Sequence, residues 1–461
     1  MSREACNQVR NYLFGQTEAR GRGGGPPDCV HLDDLTTEGT QDTEYTNLFD
    51  WFGLHAHDTR SPDKNVSGLQ IDGYFSNEPS STTLAPGNLY GKRDNNLDSV
   101  YRVDAQFVIR FPDPEHWKNR LVITGSPGLR GQYANDHIIA NHVLQKGCAF
   151  ASTDKGNSGL RFYSADRKPG DAVAEWHTRI EQLARVVKEI AKEYYGKEPK
   201  YTYVTGCSNA GYLTRYALEN HPNLYDGGVD WQGPLWTDPD KPYSDPEDNG
   251  PNLLTFLPQA LKYYPFRMAR NAMTKAGFEP DQEFLWEYYY NNYWNSTERV
   301  YREEFDPYYL GASADYIYAD RIDPEKNPKA QEIKNAVKGV SLSGDIGKPL
   351  ITLHGKLDAL LPITKSSDSY AELVKGAGKG DLHYYYKIEG GTHVDSLYDH
   401  PDPKNPDQAF REKLRPMLPC YKAAFDRLVE WVENRTPPPD NQTIPKPTSG
   451  DVVNSCPELE R

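Results

Sequence analysis

No stretch of this chain approaches the ~18 consecutive apolar residues that a membrane-spanning helix needs, and no membrane partner is expected. The opening segment, Met1 to Arg22, also lacks the apolar centre of a secretory leader. Two origins fit that absence: an intracellular chain, or a secreted or periplasmic one whose leader has been removed and replaced by an initiator Met. The second is the favoured expectation. A basic stripe is missing as well. Lys and Arg number 52 against 66 Asp and Glu, a net charge of −14 at pH 7. That balance argues against nucleic acid as a partner and against adsorption to anionic lipid. Cysteine is scarce. The six, Cys6, Cys29, Cys148, Cys207, Cys420 and Cys456, are too few for a disulfide-built scaffold and match no zinc spacing, although their even number permits full pairing. There is no internal repeat.

What is present points to an enzyme-sized core. The 461 residues fit one enlarged α/β domain that carries an insertion. The 32 tyrosines supply apolar area with a polar tip, which suits a binding cleft. Residues 1–95 read as an irregular extension packed on the core, with a flexible loop at 21–27. Across 96–230 and again across 341–436 the pattern is that of a core. Apolar runs at 103–111, 120–124, 149–153, 201–205, 349–353 and 382–388 read as strands, several of them ending in Gly-rich turns. Helical periodicity covers 171–195, 210–220 and 421–433. This alternation predicts an α/β fold: a mostly parallel sheet with helices on both faces. Between 231 and 340 it gives way to Tyr, Trp, Asn and Pro, read as an inserted cap or lid, and 437–461 reads as a Pro-rich tail.

The chemistry is concentrated at strand ends. Gly206-Cys207-Ser208-Asn209-Ala210-Gly211 sits between a predicted strand and a predicted helix. A sharp turn there lifts a serine hydroxyl above the sheet, as in the G-x-S-x-G elbow. Ala210 stands where the second glycine is usual, and it is small enough for the crowded turn. Taken alone, Ser208 has a lesser second reading as an ordinary helix N-cap. Asp358 follows strand 349–353, and His393 follows strand 382–388 through Gly390-Gly391-Thr392. Ser, Asp, His is the chain order of the α/β-hydrolase fold. The expected roles are Ser208 as nucleophile, His393 as general base and Asp358 as the acid that orients the histidine. The backbone N–H of Asn209 is the natural first oxyanion donor. The second is expected from the loop 125–129, where Pro127 has no N–H, so Gly128 or Leu129 supplies it; Gly128 is taken. The turn 154–159 is either a cleft wall or a connection. Trp286, Tyr290 and Trp294, in the aromatic stretch 284–295, are expected to bind substrate. Asp238, Asp240, Asp245 and Asp248 form an oxygen-rich loop of a kind that can hold calcium, but their spacing is not that of an EF-hand loop. They read as a solvated acidic loop, and no metal or cofactor is expected.

At these residues the chain resembles the tannase and feruloyl esterase family of α/β-hydrolases. The likeness runs from about Gly147 to Pro234 and resumes from Lys348 to His393. It is carried by Ser152-Thr-Asp-Lys-Gly-Asn-Ser-Gly159, by 191–204, by Gly206-Cys207-Ser208 and by His354-Gly-Lys-Leu-Asp358. The resemblance implies a serine esterase with a large lid between nucleophile and acid. It also implies a disulfide between a cysteine before the serine and one after the histidine. Cys207 fits the first position, but Val394 occupies the second, so that disulfide is not expected here. The expectation is a serine carboxylic ester hydrolase that works through an acyl-enzyme. Its substrates would be small or oligomeric esters of phenolic or hydroxyalkanoate type; hydrolases of 3-hydroxybutyrate oligomers are related. The alternatives are a serine peptidase acting on short peptides and a non-catalytic binding protein of the same fold. Oligomeric state is not legible.

Overall fold

Strands that are apolar on both faces must be covered on both faces. Six such segments set this architecture, and nearly every residue in them is buried: β4 (Gln106–Pro112), β5 (Arg120–Gly125), β6 (Cys148–Thr153), β7 (Tyr201–Cys207), β8 (Gly227–Trp231) and β9 (Leu350–Gly355). With β1 (Ala19–Arg20), β2 (Asp28–Leu32), β3 (Gly68–Phe75), β10 (His383–Ile388) and β13 (Gln442–Ile444) they form one sheet of 11 strands in a computed structural model. Its order is β1-β3-β4-β6-β5-β7-β8-β9-β10-β13, with β2 on β3. The structure describes residues 2–21, 24–37, 53–76, 105–156, 162, 167–241, 250–265, 270–402, 405–447 and 449–460. From β6 across to β13 every pairing is parallel; β1, β2, β3 and β4 pair antiparallel, and β4 pairs antiparallel with β6. β11 (Pro401–Asp402) and β12 (Asn405–Ala409) make a separate hairpin.

The helix Asp171–Tyr195 shows why the alternation holds. Val173, Trp176, Ile180, Leu183, Val187 and Ile190 recur at helical spacing and are all buried. Gly170 and Gly196 bound it at φ 88° and 73°, a left-handed conformation that a side chain resists. The predicted boundaries and the observed ones coincide.

Three expectations change. The described residues of 1–95 are not all irregular: Ser2–Gln16 is a helix whose Cys6, Val9 and Leu13 are buried, and three strands follow it. The strand read at 103–111 is β4, shifted one residue later at its end and antiparallel to β6; residues 103 and 104 lie outside the described residues. The tail is docked: β13 is a parallel edge strand on β10, and Cys456 is disulfide-bonded to Cys420. Between β8 and β9 the chain forms a run of helices, among them Leu253–Tyr263, Glu283–Tyr289 and Asn295–Phe305. Asp240 there meets Lys334 and Lys338 at 3.2 Å, and Asp238 meets Lys338 at 3.6 Å. Asp245 and Asp248 lie outside the described residues. No described helix is long and apolar enough to cross a membrane.

Candidate active site

Parallel strands gather their C-terminal ends along one edge, and loops from that edge converge. Here Ser126, Ser208 and Gln232 follow β5, β7 and β8 directly, while Asp358 and His393 lie just beyond β9 and β10. Ser208 sits at φ 57° and ψ −122°, outside the broad allowed regions for a residue with a side chain. The surroundings hold it there. A Cβ on Gly206 would fall 2.2 Å from the Cβ of Ala210, and one on Gly211 would fall 2.8 Å from the Gly233 nitrogen. The Ser208 N–H donates to the Trp231 carbonyl at 2.9 Å. This pins the turn to β8.

The serine hydroxyl lies 3.0 Å from His393 Nε2, and His393 Nδ1 lies 2.7 Å from Asp358 Oδ2. All three side chains are buried. Asp358 accepts at Oδ1 from the Leu360 and Leu361 N–H groups, both at 2.9 Å. Burial alone would raise the Asp358 pKa. The adjacent His393, and then His354, outweigh it and hold the carboxyl well below the usual range. It is therefore a carboxylate that can hold a proton on His393 Nδ1.

Two residues support this line that the sequence did not single out. His354 Nε2 faces the Leu361 carbonyl at 2.9 Å and Asp358 Oδ2 at 3.4 Å, while its Nδ1 faces Ser367 Oγ at 2.7 Å. A carbonyl only accepts, so Nε2 carries the hydrogen. Gln232 donates to the carbonyls of Thr392 and His393 at 3.0 and 2.9 Å and accepts from the Gly355 N–H at 3.1 Å. It locks the histidine loop to β9. His354 lies in a quoted motif, yet nothing in sequence marks it as a partner of Asp358. Gln232 carries no sequence signal at all.

Asn209 is the first residue of the helix Asn209–Asn220, so its backbone N–H has no partner within the helix. Asn209 lines the same cavity as Gly128 and Leu129. That cavity, about 320 Å³, opens over Ser208 and His393 and is mostly apolar, with Leu54, Leu253, Val300, Leu360 and Val394 in its wall. Tyr293, Tyr301 and Asn292 reach it from the inserted helices. Trp286, Tyr290 and Trp294 do not. Trp294 is fully buried and donates its indole N–H to the Ala359 carbonyl at 2.7 Å. Trp286 is also buried, and Tyr290 packs on Tyr264, ring centres 4.9 Å apart. The reason is local: at a spacing of four residues the three fall along one side of the helical stretch, the side packed on Tyr264 and the core. In the turn 154–159, Lys155 is buried with Nζ 2.5 Å from Ser126 Oγ; residues 157–159 lie outside the described ones. Cys207 is a free buried thiol, its pKa pushed well above the ordinary value by burial, and Cys148 is likewise free. Cys6 pairs with Cys29. Among the described residues no cluster of His, Cys, Asp and Glu could hold a metal ion.

A family model described as tannase and feruloyl esterase matches residues 95–231, the stretch that contains β4 to β8 and the serine turn. The chain is similar to tannases and feruloyl esterases. A probable feruloyl esterase B-1 of Aspergillus terreus is 25% identical over 126 residues, which are 27% of this chain and 23% of that one. A probable feruloyl esterase of Arthroderma benhamiae is 27% identical over 124 residues, 25% of this chain and 23% of that one. The matched region thus spans 23% of the length of these curated relatives. Among solved structures, feruloyl esterase B from Aspergillus oryzae superposes with a TM-score of 0.53 at 13% identity, covering 94% of this chain and 91% of that one. An esterase from the same organism gives 0.50 at 13% identity, covering 94% and 90%. At such identities the likeness is one of fold, and the fold is that of an α/β-hydrolase. The tannase-like stretch of sequence stops before Asp358 and His393. Chain topology, not the matched stretch, brings those two residues to the serine.

Proposed function

We propose that this protein is a serine carboxylic ester hydrolase acting through an acyl-enzyme. One observation carries the reading: a hydrogen-bonded line from Ser208 through His393 to a buried carboxylate, opening into an apolar cavity. Serine is a weak nucleophile until a base takes its proton. His393 Nε2 accepts that proton as Ser208 Oγ attacks the ester carbonyl carbon. Asp358 stabilises the imidazolium that results. The Asn209 N–H and the Gly128 loop donate to the developing oxyanion. His393 then passes its proton to the leaving alkoxide, the alcohol departs and an acyl-serine remains. Water attacks by the same route in reverse, releasing the acid. The substrates are small or oligomeric esters of phenolic or hydroxyalkanoate type, whose apolar portion fills a cavity with two tyrosines and an asparagine in the wall made by the inserted helices.

The test is a panel of p-nitrophenyl esters set against peptide amides, with wild type and Ser208→Ala. Ester turnover should fall about 10³-fold or more in kcat in the variant, with the melting temperature retained. A fluorophosphonate probe should label the wild type at Ser208. Turnover of amides alone would instead assign a peptidase, and the absence of both turnover and label would leave a binding protein.

A further inference from the structure

The loop beside Gly128 is held by its bonds rather than by its packing. Gly128 sits at φ 50°, and a Cβ there would meet nothing within 4 Å. Glycine is needed for the left-handed turn, not for space, so crowding does not hold the loop. Hydrogen bonds do. The Gly128 carbonyl accepts from Asn209 Nδ2 at 3.2 Å and from Lys155 Nζ at 3.3 Å. Lys155 Nζ also donates to Ser126 Oγ at 2.5 Å, and its other side lies against the Trp176 ring, 5.3 Å from the centre. The Asn209 amide is fixed in turn: its Oδ1 accepts from the Tyr301 hydroxyl at 2.6 Å. Tyr301 belongs to the inserted helix Asn295–Phe305. Lys155, Asn209 and Tyr301 are all buried.

A trans peptide points its C=O and N–H in opposite directions. Whatever holds the Gly128 carbonyl therefore aims the Leu129 N–H the other way, which makes Leu129 rather than Gly128 the second donor, and both residues line the cavity with Ser208. We propose that Lys155 and Tyr301 are positioning residues for the oxyanion site. Lys155 acts directly on the Gly128 carbonyl. Tyr301 acts through the Asn209 side chain, so the seating of the inserted helix sets the aim of the loop. Lys155 does not line the cavity over Ser208. Its role is to orient, through its hydrogen bonds to Ser126 and Gly128. The inference rests on the ester-hydrolase reading.

The test uses Tyr301→Phe, which keeps the ring and removes one hydroxyl, and Lys155→Met. On p-nitrophenyl acetate, kcat should fall about 10-fold in the first and about 100-fold in the second, with KM within about twofold, because a misaimed donor is felt in the transition state. Affinity for a phenylboronic acid, which forms a tetrahedral adduct on the serine, should fall by the same factor as kcat/KM. In Tyr301→Phe the midpoint of the pH–rate profile should not move, since His393 and Asp358 are untouched. If Lys155→Met does not fold, Tyr301→Phe decides alone. Full kcat in Tyr301→Phe, a loss confined to KM, or unchanged boronate affinity overturns the inference and leaves the ester-hydrolase reading standing. A wild type that cleaves no ester overturns both.

Discussion

Ser208 owes its backbone conformation to what its neighbours lack. Its φ of 57° is tolerated because Gly206, Ala210 and Gly211 leave room for a turn that would otherwise clash. Gly206→Ala should therefore be costly: the new Cβ would lie 2.2 Å from Ala210 Cβ and 2.7 Å from its carbonyl carbon. Overpacking of this sort costs about 1–3 kcal/mol. The melting temperature should drop, and kcat should drop further than stability explains, because the turn relaxes by moving the serine. Equal melting temperatures and rates for the variant and wild type would refute this account of the elbow. The same crowding explains why Ala210 serves where a glycine is usual: the close contact there is made by the Cβ that Gly206 lacks. The three residues in line were legible from order and spacing alone. Gln232 was not, because its partners Gly355, Thr392 and His393 lie on β9 and in the loop after β10; His354 was not, because its contacts with Asp358, Leu361 and Ser367 depend on how the loop after β9 folds back over the strand.

At the scale of elements, legibility followed the length of the pattern. The helix Asp171–Tyr195 repeats its apolar stripe over many turns between two glycines, so its limits could be read directly. The helix Ser2–Gln16 has only a thin buried stripe in a polar sequence and is anchored by Cys6–Cys29, a tertiary fact. The cavity wall escaped for a third reason. Aromatic density alone does not say which side of the stretch packs inward: Tyr293 lines the cavity and Trp294 is buried in the core. The two aromatics should respond differently. Tyr293→Ala is expected to raise KM for bulky aryl esters by about 1–2 kcal/mol while changing acetate hydrolysis much less. Trp294→Ala is expected to destabilise the fold by about 3–5 kcal/mol and to show no preference among esters. A graded ester series with thermal melts distinguishes them. Selectivity lost in Trp294→Ala at unchanged stability would reverse the assignment.

Across the whole molecule, buried titratable groups far from the serine give stability two opposing pH dependences. His383 is buried against Thr352, Nε2 to Oγ1 3.0 Å, and burial, then Arg215, lower its pKa to about 3. The unfolded chain binds a proton there near the ordinary value of about 6.5. Its contribution is therefore present above that value and is lost as pH falls toward 3. Glu304 is the reverse: burial pushes its pKa up to about 8, against the pull of the Ala172 and Val173 N–H groups. Its contribution is full below the ordinary carboxyl value and is lost as pH rises through 8. Urea unfolding should show this. Relative to His383→Gln, the wild type should lose stability on going from about pH 6.5 to about pH 4, by up to ~1.4 kcal/mol per pH unit. Relative to Glu304→Gln, it should lose stability on going from about pH 5 to about pH 8. Parallel pH curves for wild type and either variant would mean that group is not held as described.

The docking of β13 on β10 bears on how the chain is made. Gln442, Thr443 and Ile444 pair with Tyr386, Lys387 and Ile388, so the outer edge of β10 is closed by residues synthesised after the rest of the sheet. Until they emerge, a strand reading His-Tyr-Tyr-Tyr-Lys-Ile presents unpaired backbone to other nascent chains. The ribosome-bound intermediate is thus at its most adhesive when its chemistry is already encoded. Losing the final residues would leave Ser208, His393 and Asp358 in the polypeptide and show itself as inclusion bodies rather than as a soluble, slow enzyme.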